Sequence, residues 1–218
     1  MTHEIKQLFK AFLQMPYYKN IKIRCATGEK GKISHESAIK NVLLHHGYSI
    51  YKPVKKLHAE EFNTVGFLDD MPPNTFVEQP FGTQLYPDFF IKAGTIIIPL
   101  EAKSSKASKP LYNSGGVKQG FYYIFCSKKT NSSTIYRGED IITPEQQQLI
   151  NEHIKGEKIR AKALNEKLKN LDTNFRGISY YPRPMICQSG GAKFTNYFTH
   201  QHKTRDEERV FQTMGGFS

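Results

Sequence analysis

Three residues with the chemistry of phosphate transfer fall within one short stretch, YPDFFIKAGTIIIPLEAKSSK: Asp88, Glu101 and Lys103. Side chains two apart on a β-strand share a face, so an extended 95–103 points Glu101 and Lys103 the same way. If the chain folds back at Ala93-Gly94, Asp88 comes opposite residues near Pro99 and Leu100, and a slight stagger sets it beside Glu101. Two carboxylates and one ammonium then converge on a small volume. Such a set suits a hard divalent cation, because Mg²⁺ takes oxygen ligands in octahedral geometry and keeps several waters. Asp88, Glu101 and the backbone carbonyl of Ala102 are the expected ligands, which leaves places for water and a phosphate oxygen. Lys103 is placed to orient the water and offset transition-state charge. The reaction class is metal-dependent phosphodiester hydrolysis, with Mg²⁺ as the expected cofactor and Mn²⁺ as its substitute.

The flanking pattern predicts the elements that hold this set. Tyr86–Ile91 reads as a short aromatic strand, and Thr95–Lys103, with Ile96, Ile97 and Ile98, as a second. Lys92-Ala93-Gly94 is short enough for a hairpin turn, while Pro99 predicts an edge position or a bulge. Residues 104–118 read as loop. The run FYYIFC, 121–126, reads as a buried strand with 134–136 as its partner. Upstream, Ile5, Leu8, Phe9, Phe12 and Leu13 form one helical stripe over 4–14 that Pro16 stops. Arg24–Lys32 reads as loop. Ser34 is an N-cap for a helix to about His46, with Ala38, Ile39, Val42 and Leu43 inward and Gly47 at its C-terminal end. Residues 52–80 read as irregular. Downstream, Thr143 with Gln146 forms a capping box and Pro144 stands at the first helical position. That helix is expected to reach Leu171 with a break near Gly156. Its thin apolar stripe (Ile150, Ile154, Leu164, Leu168) suits a solvated or DNA-facing helix. Residues 174–218 show no clear periodicity.

These elements predict an α/β (α+β) fold: one domain over 1–218, with a central mixed β-sheet flanked by helices. The catalytic core is expected at 34–136, and 143–218 as a helical arm carrying DNA-recognition elements.

Composition narrows the class. The chain has 218 residues and a mean hydropathy of −0.55, yet 15 Phe and 12 Tyr can fill a core, so global disorder is excluded. No apolar run approaches the ~18 residues of a membrane span. Cys25, Cys126 and Cys187 lie far apart, which argues against a disulfide scaffold or a zinc ribbon. The odd cysteine count and the charged N-terminus predict a reducing cytoplasm. The net charge of +11, spread along the chain, predicts a folded basic face and a polyanionic partner.

Pro87, Asp88, Glu101 and Lys103 together resemble the PD-(D/E)xK nuclease superfamily, and most closely its type II restriction endonucleases. The resemblance covers about 34–136 as architecture and these four residues as chemistry. It implies a restriction-endonuclease-like core and Mg²⁺-dependent, sequence-specific hydrolysis of double-stranded DNA. It also implies a homodimer on a short palindromic site and a prokaryotic, cytoplasmic setting. Many members place a glutamate on the helix before the hairpin, and Glu36 matches that place. Its bland alternative is dipole stabilisation in a helix's first turn. Gln119 and Tyr123 have the Gln-x-x-x-Tyr spacing that some repair nucleases carry on a helix, but Gly120 and the FYYIFC run favour a strand there.

Candidates for DNA contact are long donors and amides. Lys106 and Lys109 follow the catalytic strand, and Arg176, Arg183, Gln188, Lys193 and Asn196 lie among aromatics and glycines near the C-terminus. Two other readings stay open: a structure-specific repair or junction nuclease, and a non-catalytic basic nucleic-acid-binding protein.

Overall fold

A computed structural model describes residues 2–18, 21–24, 30–62, 64, 66–82, 85–113 and 116–215; for 2, 21–24 and 30–33 only the backbone path is described. The expected loop over 24–32 and Cys25 thus lie largely outside the described residues. Its flanks, β1 (Ile21–Arg24) and β2 (Lys30–Ile33), pair as an antiparallel hairpin.

The fold is α+β, built on one mixed sheet of six strands: β3 (Ser49–Ile50), β4 (Thr75–Glu78), β5 (Phe89–Ala93), β6 (Ile96–Ser105), β8 (Tyr122–Ser127) and β9 (Ser132–Arg137), in that spatial order. The pairs β3–β4 and β6–β8 are parallel and the others antiparallel. A separate two-stranded piece joins β7 (Tyr112–Asn113) to β10 (Met185–Ile186).

Helices cover one face. In α1 (Thr2–Leu13) the expected stripe buries Ile5, Leu8, Phe9 and Phe12. In α2 (His35–His45) Ser34 caps the N-terminus by accepting the Ser37 N–H, and Ala38, Ile39 and Leu43 face inward. Gly47 follows with φ of 82°, a left-handed conformation that glycine adopts without penalty. These side chains meet Phe76, Phe89, Ile91, Ile98, Leu100 and Ile124 from the sheet. Each such burial contributes about 1.5–3 kcal/mol before ordering entropy. The other sheet face carries aromatic clusters around Tyr123 and Phe125, and around Val77 and Phe90.

Several expectations are corrected. β4 lies inside the stretch read as irregular, because four residues after a Pro-Pro turn carry too short a pattern to announce a strand. β6 runs on to Ser105, and Tyr112–Asn113 is paired, within the stretch read as loop. α3 (Pro144–Asn170) has the expected capping box but continues unbroken through Gly156; one glycine costs only about 1 kcal/mol in a long helix. The C-terminal stretch contains α4 (Ala192–Thr195) and α5 (Lys203–Gly215). α5 buries Val210 and Met214 in the main hydrophobic core with α1. Pro99 lies in no bulge, and its position has the expected edge character, because β8 does not reach it. The β5–β6 ladder passes unbroken through Phe90↔Pro99, while β8 begins only at Leu100↔Tyr122, so no β8 group waits for the missing N–H.

Gly138 fixes the approach to β8. Its N–H donates to the Phe121 carbonyl at 2.9 Å, and a Cβ there would lie 1.8 Å from the Lys118 carbonyl oxygen. Gly138→Ala must therefore push the 118–121 segment aside. It is expected to cost about 1–3 kcal/mol, read as a fall of about 2–4 °C in melting temperature per kcal/mol at this chain size. A melting temperature equal to wild type would contradict this packing.

Candidate active site

The hairpin register builds the site. Ala93 pairs with Ile96 and Phe89 with Leu100, so the turn is Gly94-Thr95, and Asp88 falls opposite Glu101. The stagger expected for a turn at Ala93-Gly94 is unnecessary, because the fold-back lies one residue further on. Gly94 has φ of 60°, as the first position of a tight primed hairpin turn demands.

Asp88 precedes β5. Its Oδ2 accepts the Ala102 N–H at 2.8 Å, and its own backbone N–H donates to Glu101 Oε2 at 3.1 Å. Lys103 Nζ donates to Glu101 Oε1 at 2.7 Å, with 15% and 12% of the two side chains exposed. The predicted trio therefore forms one hydrogen-bonded set. Ala102 takes part through its N–H. In a strand a residue's carbonyl leaves on the same edge as its N–H, which here is the edge beyond the start of β5, where Asp88 sits.

Burial, and then the charge of Glu101, push the Asp88 carboxyl up to about 7. The Ala102 N–H and the Lys103 ammonium pull it down, and Glu36 raises it further. Glu36, in the first turn of α2, is thus near enough to act on Asp88 electrostatically. Among the described residues no three His, Cys, Asp or Glu side chains lie close enough together to hold a metal ion by themselves. The donor set still fits Mg²⁺, which characteristically takes one or two carboxylates and completes its shell with water and substrate phosphate. A buried carboxylate pair with one lysine between them is under-neutralised, and a divalent cation would relieve it.

The wall beside Glu101 is aromatic. In the β6–β8 register Glu101 neighbours Tyr123, and Lys103 neighbours Phe125. Tyr123 stacks on Tyr136 at 5.2 Å, and Tyr112 joins the hydroxyls of Tyr136 and Tyr197 at 2.8 and 2.7 Å. The Tyr123 hydroxyl accepts the Lys118 N–H at 2.8 Å. Because Tyr123 is on a strand, Gln119 and Tyr123 do not share a helix.

The predicted DNA-contacting residues separate into groups. Lys109 reaches the Gln188 carbonyl at 3.4 Å, which brings those two together. Gln188 lines a cavity of about 210 Å³ with Tyr136, Phe194 and Tyr197, and its buried Oε1 has no hydrogen-bond partner among the described residues. Lys193 lies over Phe194 at 5.9 Å. Asn196 ends α4 and accepts the Phe198 N–H, a turn-forming role. Lys106 and Arg176 are exposed. Arg183 lines a cleft of about 780 Å³ between α3 and the segment 180–184, which reaches Tyr86. Sequence reasoning did not single out Tyr86, Lys118 or the α3 lysines of that cleft. Lysines at 155, 158 and 162 do recur at helical spacing, a signal that could have found them.

No family model matches the chain, and neither a curated protein nor a solved structure does.

The raised Asp88 carboxyl has a consequence for stability without metal. An unfolded aspartate ionises near pH 4, so the folded state holds this proton more tightly. The ionised group then costs stability as pH rises from about 4 through about 7, and the whole cost is present above that range. The substitution Asp88→Asn keeps an acceptor for the Ala102 N–H and removes the charge. In chelator, this variant should melt several degrees above wild type at about pH 8 and lose that advantage toward about pH 4. Parallel melting curves at both ends would contradict the assignment.

Proposed function

We propose that the protein is a Mg²⁺-dependent DNA endonuclease of the PD-(D/E)xK kind. In its most specific form it is a type II restriction enzyme, a homodimer cutting both strands of a short palindromic site. One observation carries the reading: Asp88, Glu101 and Lys103, spaced as in that motif, meet across a single hairpin through hydrogen bonds of 3.1 Å or less. The basic charge of +11 supports a polyanionic substrate.

Hydrolysis adds water across one P–O ester bond. Asp88 is held at one orientation by the Ala102 N–H, and its own N–H holds Glu101. Each carboxylate oxygen engaged in a hydrogen bond keeps a second lone pair for a ligand. When bound, Mg²⁺ supplies Lewis acidity, which neutralises phosphate charge and makes the attacking water more acidic. The Lys103 ammonium is held by Glu101 and can turn to a phosphate oxygen, where it offsets charge as the bond breaks. Glu36 adds negative potential at Asp88 from the first turn of α2.

Incubating a plasmid of known sequence with Mg²⁺ tests the reading. Discrete fragments that vanish in chelator are expected of the restriction enzyme. Cleavage only at branched or frayed DNA would favour the junction nuclease, and tight binding without cleavage the non-catalytic binder. Asp88→Ala and Lys103→Ala should each lower the cleavage rate by at least about 10²-fold. Near-normal cleavage by Asp88→Ala would overturn the site.

The two carboxylates and the lysine should separate by calorimetry. Glu101→Ala removes a hard oxygen ligand, so Mn²⁺ or Ca²⁺ affinity should fall. Lys103→Ala removes a positive charge beside that ligand, so the cations should bind at least as well. Equal losses in both variants would mean that the roles are wrongly divided.

A further inference from the structure

The cleft between α3 and the segment 180–184 has two properties that the hairpin site does not explain. The first is charge. Lys155, Lys158 and Lys162 line it from α3, Arg183 from the opposite wall and Lys118 from the side of the sheet, against Glu166. The three α3 lysines are not buried, and Ala161 is the buried contact of that helix among the described residues. Their bases follow one face at about 5–6 Å per step, a spacing suited to successive phosphates along a strand. The second property is aromatic. Tyr86, Tyr180 and Tyr181 line the same cleft, with Tyr180 and Tyr181 47% and 73% exposed. Exposed rings of this kind offer flat faces on which a base can stack.

The wall that carries these rings is fixed. Asn165 Nδ2 donates to the Tyr180 carbonyl at 2.9 Å, and the Tyr180 N–H returns a bond to Asn165 Oδ1 at 2.7 Å. Pro182 and Pro184 restrict the backbone that follows. On the side of the sheet, Lys118 Nζ lies 4.8 Å over the Tyr86 ring, and Tyr86 is two residues before Asp88.

Lysines that track a backbone beside exposed rings are the recognition chemistry of an unpaired nucleic-acid strand, whose bases stack on aromatics whatever their sequence. A duplex keeps its bases stacked inside and would leave the tyrosines uncovered. At about 780 Å³ the cleft lies within the ~300–1,000 Å³ range of small-ligand pockets, so it admits a few nucleotides of one strand.

We infer that this cleft binds a single, unpaired DNA strand and leads it to Asp88. The direction toward Asp88 rests on the nuclease reading above; binding in the cleft stands without it. Joined to that reading, the cleft would hold one strand displaced from the duplex beside the cut.

The test uses the full chain in chelator, with labelled oligo(dT) and a duplex of equal length followed by fluorescence anisotropy. Replacing Lys155, Lys158 and Lys162 by Ala keeps the helix, since Ala is its best former. Oligo(dT) affinity should fall at least tenfold, and the slope of log affinity against log salt should become shallower by about 2. Tyr181→Ala should weaken oligo(dT) about fivefold or more and leave the duplex unaffected, while Tyr181→Phe should bind as wild type. Removing exposed Lys10, Lys128 and Lys129 should change little. Wild-type affinity in the triple lysine variant would overturn the inference, as would an equal loss in the control variant or an equal effect of Tyr181→Ala on the duplex. If the protein cleaves no DNA but the cleft variants lose oligo(dT), the nuclease reading fails and the cleft stands. If it cleaves DNA and the cleft variants bind unchanged, the cleft fails and the nuclease reading stands.

Discussion

Every property of the site depends on the register of the β5–β6 hairpin. Side chains alternate between faces, so a slip of one residue would move Glu101 and Lys103 into the helix-packed core and bring Leu100 and Ala102 out. That slip is opposed from both sides. Leu100 and Ala102 are buried against the helix layer, and Tyr123 and Phe125 hold the opposite face. The two-residue turn with Gly94 at positive φ sets the same register from the loop end. Apolar packing therefore determines where two acidic groups must meet, although neither acid contributes to that packing.

The meeting carries an electrostatic cost that the local backbone offsets only in part. Asp88 is buried beside Glu101, and two backbone N–H groups and one ammonium answer two carboxylates. Burial first, and then the charge of Glu101, raise the Asp88 carboxyl. Such sites are where function is concentrated, because a fold selected for stability alone would replace the pair with apolar residues. The same imbalance would favour a cation, so the feature that destabilises the metal-free protein would give the site its affinity.

The sequence was legible where a pattern was long or chemically rich. The stripe of α1, the Ser34 and Thr143 caps and the isoleucine run of β6 all lie where local periodicity placed them, and the Asp88–Glu101–Lys103 set follows from strand geometry alone. Residues failed to announce themselves where tertiary contacts decide. β4 is four residues long and becomes a strand through its pairing with β5. α5 is polar except at Val210, Phe211 and Met214, and packing against α1 and β9 stabilises it. The DNA-contact candidates were chosen by residue type, which does not encode position. Asn196 lies at the end of α4, where it accepts the Phe198 N–H, while the lysines of α3 went unselected on a helix already recognised as thinly apolar.

That contrast reflects a division of labour in the molecule. Asp88, Glu101 and Lys103 are set in and beside the central strands of a six-stranded sheet, where positions are over-determined by packing. The basic cleft is carried by α3, which buries little of itself, and by an extended segment tied to it through the Asn165–Tyr180 pair. Phosphate attraction is long-ranged and tolerates such supports, since a lysine a few ångströms out of place still contributes most of its Coulomb energy. Bond hydrolysis does not tolerate them, because a displacement of about 1 Å can cost about 10²-fold in rate. Substitutions on the exposed face of α3 should accordingly leave the fold intact, whereas substitutions at the packed positions of the β5–β6 hairpin, such as Leu100, must alter the fold and the site together.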